Sequence, residues 1–185
     1  MSANMAPALV RSAADFAEYN VGDGPQKGFV ERYIHSEVYK RYAGVVCVIH
    51  AHADDVLPYT VSGVPFHAMA HMAGFVGSQP APTFDVESHD ERGDAHDLLI
   101  KNTRLGAAFA SFFSGAGHHG ELSERTVVLM RLHGFTTWGR RRSTAQCTGY
   151  GSRQFQSRRE ALGSLGVGSQ VSGLVYKQRK CGLEF

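Results

Sequence analysis

The chain has 185 residues, 43% of them hydrophobic, and a formal net charge of +2. A single domain of this size buries its own core without disulfides or a metal for support, so any metal it binds is functional rather than structural. No apolar run approaches the ~20 residues that cross a bilayer, and MSANMAPALVRSAADF at the N-terminus lacks the apolar core of a signal peptide, so a membrane partner is excluded and a cytoplasmic protein expected.

The first predicted element is a helix over residues 30–42, where Val30, Ile34, Val38 and Tyr42 recur at helical spacing and Glu31 and His35 stand four apart beside that stripe. Gly44 ends it, and the continuous run VVCVI at 45–49 predicts a strand covered on both faces. Pro58, Gly63 and Pro65 then break the pattern into short pieces, and the segment SQPAPTFDVES reads as a loop. Asp94 is placed to cap a second helix through AHDLLIKNTRLGAAFASFF, with Leu98, Leu105, Phe109 and Phe112 on one face. A second inner strand is expected at TVVLMR, residues 126–131, leading into His133 and Gly134. Helices alternating with strands, and no internal repeat, predict a layered α/β architecture.

Charge divides the chain: residues 1–139 carry 10 Lys and Arg against 15 Asp and Glu, whereas 140–185 carry 9 against 2. The basic segment is rich in Gly, Ser and Gln and lacks a helical basic stripe or an aromatic platform, so it reads as a solvated tail rather than a nucleic-acid surface. Cys47, Cys147 and Cys181 are odd in number and share no metal-ligand spacing, as expected for a reduced intracellular protein.

The segment GVVCVIHAHADDVLPY passes from apolar to ionisable within a few residues. In an extended chain, residues i and i+2 face the same way, so His50 and His52 present two imidazoles in one direction. Catalytic zinc takes three protein ligands and keeps one open position, so the pair asks for a distant third ligand. His133, beyond the other inner strand, is the natural candidate, and Glu31 is placed to be a fourth ligand or a general base. A His-x-His pair is weak on its own in a chain with ten histidines. His118 and His119 fall in a Gly-rich loop and read as solvated. His89 and His96 read as surface groups or helix-start contacts. His35 reads as a packing or hydrogen-bonding partner, and His67 and His71 as core or pocket wall. Asp54 and Asp55 read as caps of the next turn or as groups orienting the imidazoles rather than as ligands.

The series ERYIHSEVYKRYAGVVCVIHAHADDVLPYTVSGVPFHAMAHMAGF, DLLIKNTRLGAAFASFF and VVLMRLHGFTTWG resembles the class II aldolase/adducin family, and within it the fungal-type members. The likeness implies a three-layer α/β/α fold with a mainly antiparallel central sheet, carried by an N-terminally shortened domain at 1–139 and followed by a divergent basic segment at 140–185. By motif match it makes His50, His52 and His133 the metal ligands and Glu31 the catalytic acid/base. The implied cofactor is Zn2+, with Mn2+, Fe2+ or Co2+ as alternatives, and the implied assembly is a homo-oligomer, often a tetramer.

An ion held by three neutral imidazoles keeps most of its charge and stabilises the enediolate formed when a bond beside a carbonyl breaks. The leading expectation is therefore an aldol or retro-aldol lyase acting on a small hydroxycarbonyl compound. No phosphate-binding loop is evident before Glu31, which favours an unphosphorylated substrate. Isomerase and decarboxylase chemistry share the same anion and are the alternatives. A non-catalytic, adducin-like interaction domain is the reading from another class.

Overall fold

The computed structural model describes residues 11–12, 15, 20–21, 29–69, 71–114, 123–139 and 172–177. In chain order its elements are helix α1 (Arg32–Arg41), strand β1 (Cys47–His52), helix α2 (Leu57–Val61), a 3-10 helix (His71–Val76), strand β2 (Thr83–Phe84), a 3-10 turn (Glu87–His89), helix α3 (Thr103–Ser111), and strands β3 (Val127–Met130), β4 (Gly134–Gly139) and β5 (Ser172–Lys177). The strands form one sheet in the order β2-β3-β4-β1-β5. All neighbours are antiparallel except β2 and β3.

Helices α1 and α3 cover one face of this sheet. Ile34 and Val38 of α1, with Tyr42 just after it, meet Leu105 and Phe109 of α3, with Phe113 just beyond it, above Val48, Val128 and Met130 of the strands. Burying such side chains contributes roughly 1.5–3 kcal/mol each relative to exposure. The Tyr42 hydroxyl donates to Ala110 O or Ser114 Oγ, both at 2.9 Å, and the Tyr39 hydroxyl accepts the Val48 N–H at 2.9 Å, so α1 is tied to α3 and to β1 by polar bonds as well. At Gly106 a side chain would meet Tyr33 O and Glu37 Cγ, both at 2.7 Å, so glycine sets the close approach of the two helices.

The opposite face packs Ala51, Val127, Leu129 and Phe135 against Ala53, Val56 and Val76, the last two flanking α2 and closing the 3-10 helix. With both faces covered, the layers are α/β/α around a mainly antiparallel sheet. The double cover also explains why VVCVI shows no polar alternation.

Several boundaries differ from the sequence-based expectation. The strand does not stop before the histidines: β1 runs through His52, so both imidazoles belong to the sheet itself. Helix α1 ends at Arg41, with Tyr42 already extended, ahead of Gly44. Asp94 caps no helix. Its carboxylate accepts the Glu91 N–H at 2.9 Å and pairs with Arg104, while the chain between is kept out of helix by Leu98 at φ 60° and by Lys101 bonding Ala95 O at 2.8 Å. The true cap of α3 is Asn102, whose side chain accepts the Leu105 N–H at 2.8 Å. Helix α2 is preceded by Val56, so neither Asp54 nor Asp55 caps it.

Most of the 140–185 segment lies outside the described residues, as do His118, His119, Cys147 and Cys181. Within that segment, residues 172–177 form β5, antiparallel to β1, an element the sequence pattern did not predict. Among the described residues no helix is long and apolar enough to cross a membrane.

Candidate metal centre

Three separate pieces of chain converge at one end of β1. The first is the strand, where the two-residue step between His50 and His52 turns both side chains to the α1 face, the face that also carries Val48. The second is the start of α1. Glu31 occupies the N-cap position with helical backbone angles and makes no side-chain cap bond, so its carboxylate is not spent on the helix's own N–H groups.

The third piece is the turn between β3 and β4. There Leu132 adopts φ 55° and donates its N–H to Thr60 Oγ1 at 3.1 Å, and the His133 N–H closes the turn onto Met130 O at 3.1 Å. Gly134 follows at φ 154°, and a Cβ there would fall 2.2 Å from Ala51 O. Glycine is thus the residue that lets the turn approach β1 between its two histidines.

The result is a cluster of Glu31, His50, His52 and His133 with one ligand atom from each within 4.8 Å of all the others, a group that could hold a metal ion. Glu31 Oε1 lies 3.7 Å from His50 Nε2, 3.2 Å from His52 Nε2 and 3.5 Å from His133 Nε2. The three rings stand with centroids 4.5, 4.8 and 4.9 Å apart. His50 is fully buried and His133 nearly so, whereas the His52 side chain is 45% exposed, so the cluster meets solvent on the His52 side.

Hydrogen bonding defines which nitrogen of His50 is available. Its Nδ1 lies 3.1 Å from Phe135 O, and a carbonyl can only accept, so Nδ1 carries the proton and Nε2 keeps its lone pair turned toward the cluster. Among the described residues the buried ring nitrogens of His133 have no hydrogen-bond partner. Converging lone pairs and an anionic oxygen repel one another, and a cation among them removes the repulsion, so this donor set suits a divalent ion.

The same geometry shifts the ionisation of its members. Burial pushes the Glu31 carboxyl up, but polar contacts with His133, His50 and His52 and the charge of His50 outweigh it and hold Glu31 well below the usual carboxylate range. Burial pulls His50 down, against the opposing effect of its contact with Glu31, and the charge of His133 pulls it further.

The remaining described histidines stand apart. His35 is buried in the layer between α1 and the sheet, the packing place its spacing implied. His67 and His71 are exposed, neither core nor part of the cluster. His89 stacks against Phe84 at 4.8 Å, and exposed His96 pairs with Asp90 at 3.0 Å. Neither Asp54 nor Asp55 belongs to the cluster. Sequence reasoning missed the partners of His50, because Phe135 and Thr136 come beside it only through the β1–β4 register, in which Thr136 faces His50.

A three-layer fold with this sheet order and a histidine–carboxylate cluster at one strand end defines a protein of the class II aldolase type. The chain belongs to the Class II Aldolase and Adducin N-terminal domain family, which residues 8–147 match. It is 46% identical over 145 residues to the decarboxylase tropJ of Talaromyces stipitatus, a match covering 75% of this chain and 54% of that protein. The chain thus spans about half the length of this curated relative. Its fold is similar to the crystal structure of L-fuculose-1-phosphate aldolase from Thermus thermophilus, with a TM-score of 0.56, 17% identity, and coverage of 86% of this chain and 75% of that one.

Proposed function

We propose that the chain is a divalent-metal-dependent carbon–carbon lyase acting on a small hydroxycarbonyl compound, with His50, His52 and His133 as metal ligands and Glu31 as the acid/base. The observation that carries this reading is the convergence of three imidazole nitrogens and one carboxylate oxygen within 4.8 Å. Within lyase chemistry, decarboxylation has more support than the aldol cleavage the sequence motifs put first. The support is the 46% identity to a decarboxylase, whereas the likeness to an aldolase at 17% bears on the fold alone. Zn2+ is the metal we assign first, since three nitrogens and an open position suit it. The working form is a homo-oligomer in the cytoplasm, where buried Cys47 stays a thiol. The catalytic unit is the 1–139 domain together with strand β5, which pairs with β1 through His52.

When bound, the ion supplies Lewis-acid polarisation of the substrate carbonyl. His50, buried and fixed through Nδ1, sets the geometry of the site, and His133 closes it from the β3–β4 turn. His52, the exposed member, marks the side from which substrate enters. Glu31 moves the proton. Its Oε1 faces the Nε2 atoms of all three imidazoles at 3.2 to 3.7 Å, so the carboxylate stands beside a substrate held at the cluster. Oε1 can then take up a proton and return it to the carbon left by the departing carboxyl or carbonyl fragment.

The test is a panel of unphosphorylated hydroxycarbonyl acids and aldols offered to Zn2+-loaded protein, with released CO2 and released aldehyde measured separately. Metal-dependent CO2 release that His50→Ala abolishes supports decarboxylation, and aldehyde release instead supports aldol cleavage. No turnover of any member with a full complement of metal contradicts the lyase reading.

A further inference from the structure

We propose that Thr136 is a positioning residue that, with the Phe135 carbonyl, locks His50 in the orientation and tautomer a metal ligand needs; this rests on the metal-centre reading above. Thr136 is fully buried on β4, directly across from His50 on β1, so the two side chains share one face of the sheet. Its Oγ1 lies 3.2 Å from His50 Nδ1 and 3.5 Å from Met130 Sδ.

The chemistry of these groups fixes the direction of the hydrogen bonds. A thioether sulfur has no proton, so the Thr136 hydroxyl donates to Met130 Sδ, and its oxygen lone pairs face His50. His50 Nδ1–H then has two acceptors on one side, Phe135 O at 3.1 Å and Thr136 Oγ1 at 3.2 Å. Two acceptors held by one strand prevent rotation of the ring about its Cβ–Cγ bond. They also enrich Nε2 as a donor toward the cluster. Met130 closes β3 and Thr136 lies in β4, so the hairpin whose turn carries His133 also sets His50 from behind.

The test compares Thr136→Val, which keeps the branched shape without the hydroxyl, with Thr136→Ser, which keeps the hydroxyl. The first readout needs no metal. Long-range 1H–15N NMR of the metal-free protein is expected to show the Nδ1–H tautomer of His50 in the wild type and Thr136→Ser, and a tautomer mixture with faster exchange of that proton in Thr136→Val. The second readout is Co2+ affinity, expected to fall at least about tenfold in Thr136→Val and to be restored by Thr136→Ser. Unchanged tautomer and exchange in a folded Thr136→Val, or a Thr136→Ser that behaves like Thr136→Val, overturns the proposal. Absence of Co2+ binding by the wild type, with the NMR pattern as expected, overturns the metal-centre reading and leaves the lock on His50 standing.

Discussion

The Nε2 atoms of His50 and His52 stand 2.8 Å apart on side chains that leave β1 on the same face. At that distance two lone pairs repel, and a proton or a cation between them turns the repulsion into attraction. A divalent ion that binds the folded chain and not the unfolded one therefore stabilises it, by about 2.7 kcal/mol at a concentration 100 times Kd. Thermal melts with saturating Zn2+ are expected to lie several degrees above melts with chelator, and His52→Ala is expected to lose the difference.

Glu31 sits 3.2 to 3.7 Å from all three imidazoles through a single oxygen. Glu31→Gln keeps the shape and one acceptor oxygen but cannot carry the proton. Turnover of any substrate identified is expected to fall by about 10²–10⁴, while the three imidazoles still hold metal. Equal loss of metal and turnover in this variant would make Glu31 a ligand first and an acid/base second. Metal titration beside steady-state kinetics distinguishes the two.

Gly134 lets the β3–β4 turn approach Ala51 O, where a Cβ would fall at 2.2 Å. The obstacle is backbone, not the end of a flexible side chain, so Gly134→Ala must open the hairpin. A stability loss of about 2–4 kcal/mol is expected, measured by denaturant unfolding. Metal affinity should fall with it, because the same opening carries His133 away from β1. A variant with wild-type stability and affinity would show that the close approach is unnecessary.

Stability of the metal-free protein should fall on mild acidification. Burial pulls His35 well below its ordinary 6.5, with the charge of His50 acting the same way against that of Glu31, and burial also lowers His50. In both cases the unfolded chain binds a proton that the native state refuses. Stability is therefore full above about pH 6.5 and declines as pH falls toward the folded values, at a limiting slope of about 1.4 kcal/mol per pH unit for one group. Glu31, held low, stays charged in the native state and adds no slope until pH approaches its ordinary 4.5. Denaturant melts from pH 8 to 5 should show this decline, with a shallower one in His35→Leu; a flat profile would contradict it.

The site was more legible in the sequence than the element boundaries around it. The apolar run at 45–49 marked β1, and the i, i+2 rule placed His50 and His52 on one face whether or not the strand included them. The exit of the second inner strand offered His133 and the start of the first helix offered Glu31, and the family motif order tied the four together, because no local spacing links residues 31, 50 and 133. Asp94 misled because Asp starts turns as readily as helices, and here it closes one onto Glu91 while Arg104 holds it from α3. Leu98 matched a helical stripe, yet it stands in a loop from which Ile100 is buried; apolar residues report burial, and tertiary packing supplied it there without a helix. Strand β5 and the Thr136–His50 contact depend on register, which is a property of the folded sheet.

The most direct measurement is metal stoichiometry and affinity by equilibrium dialysis against Zn2+ and Co2+, on the wild type and on His50→Ala and His133→Ala variants shown to be folded. One equivalent per chain in the wild type, weakened more than about 100-fold in each variant, is the expected result. Wild-type protein that retains no stoichiometric divalent ion, or variants that bind as tightly as the wild type, would contradict a metal centre at Glu31, His50, His52 and His133.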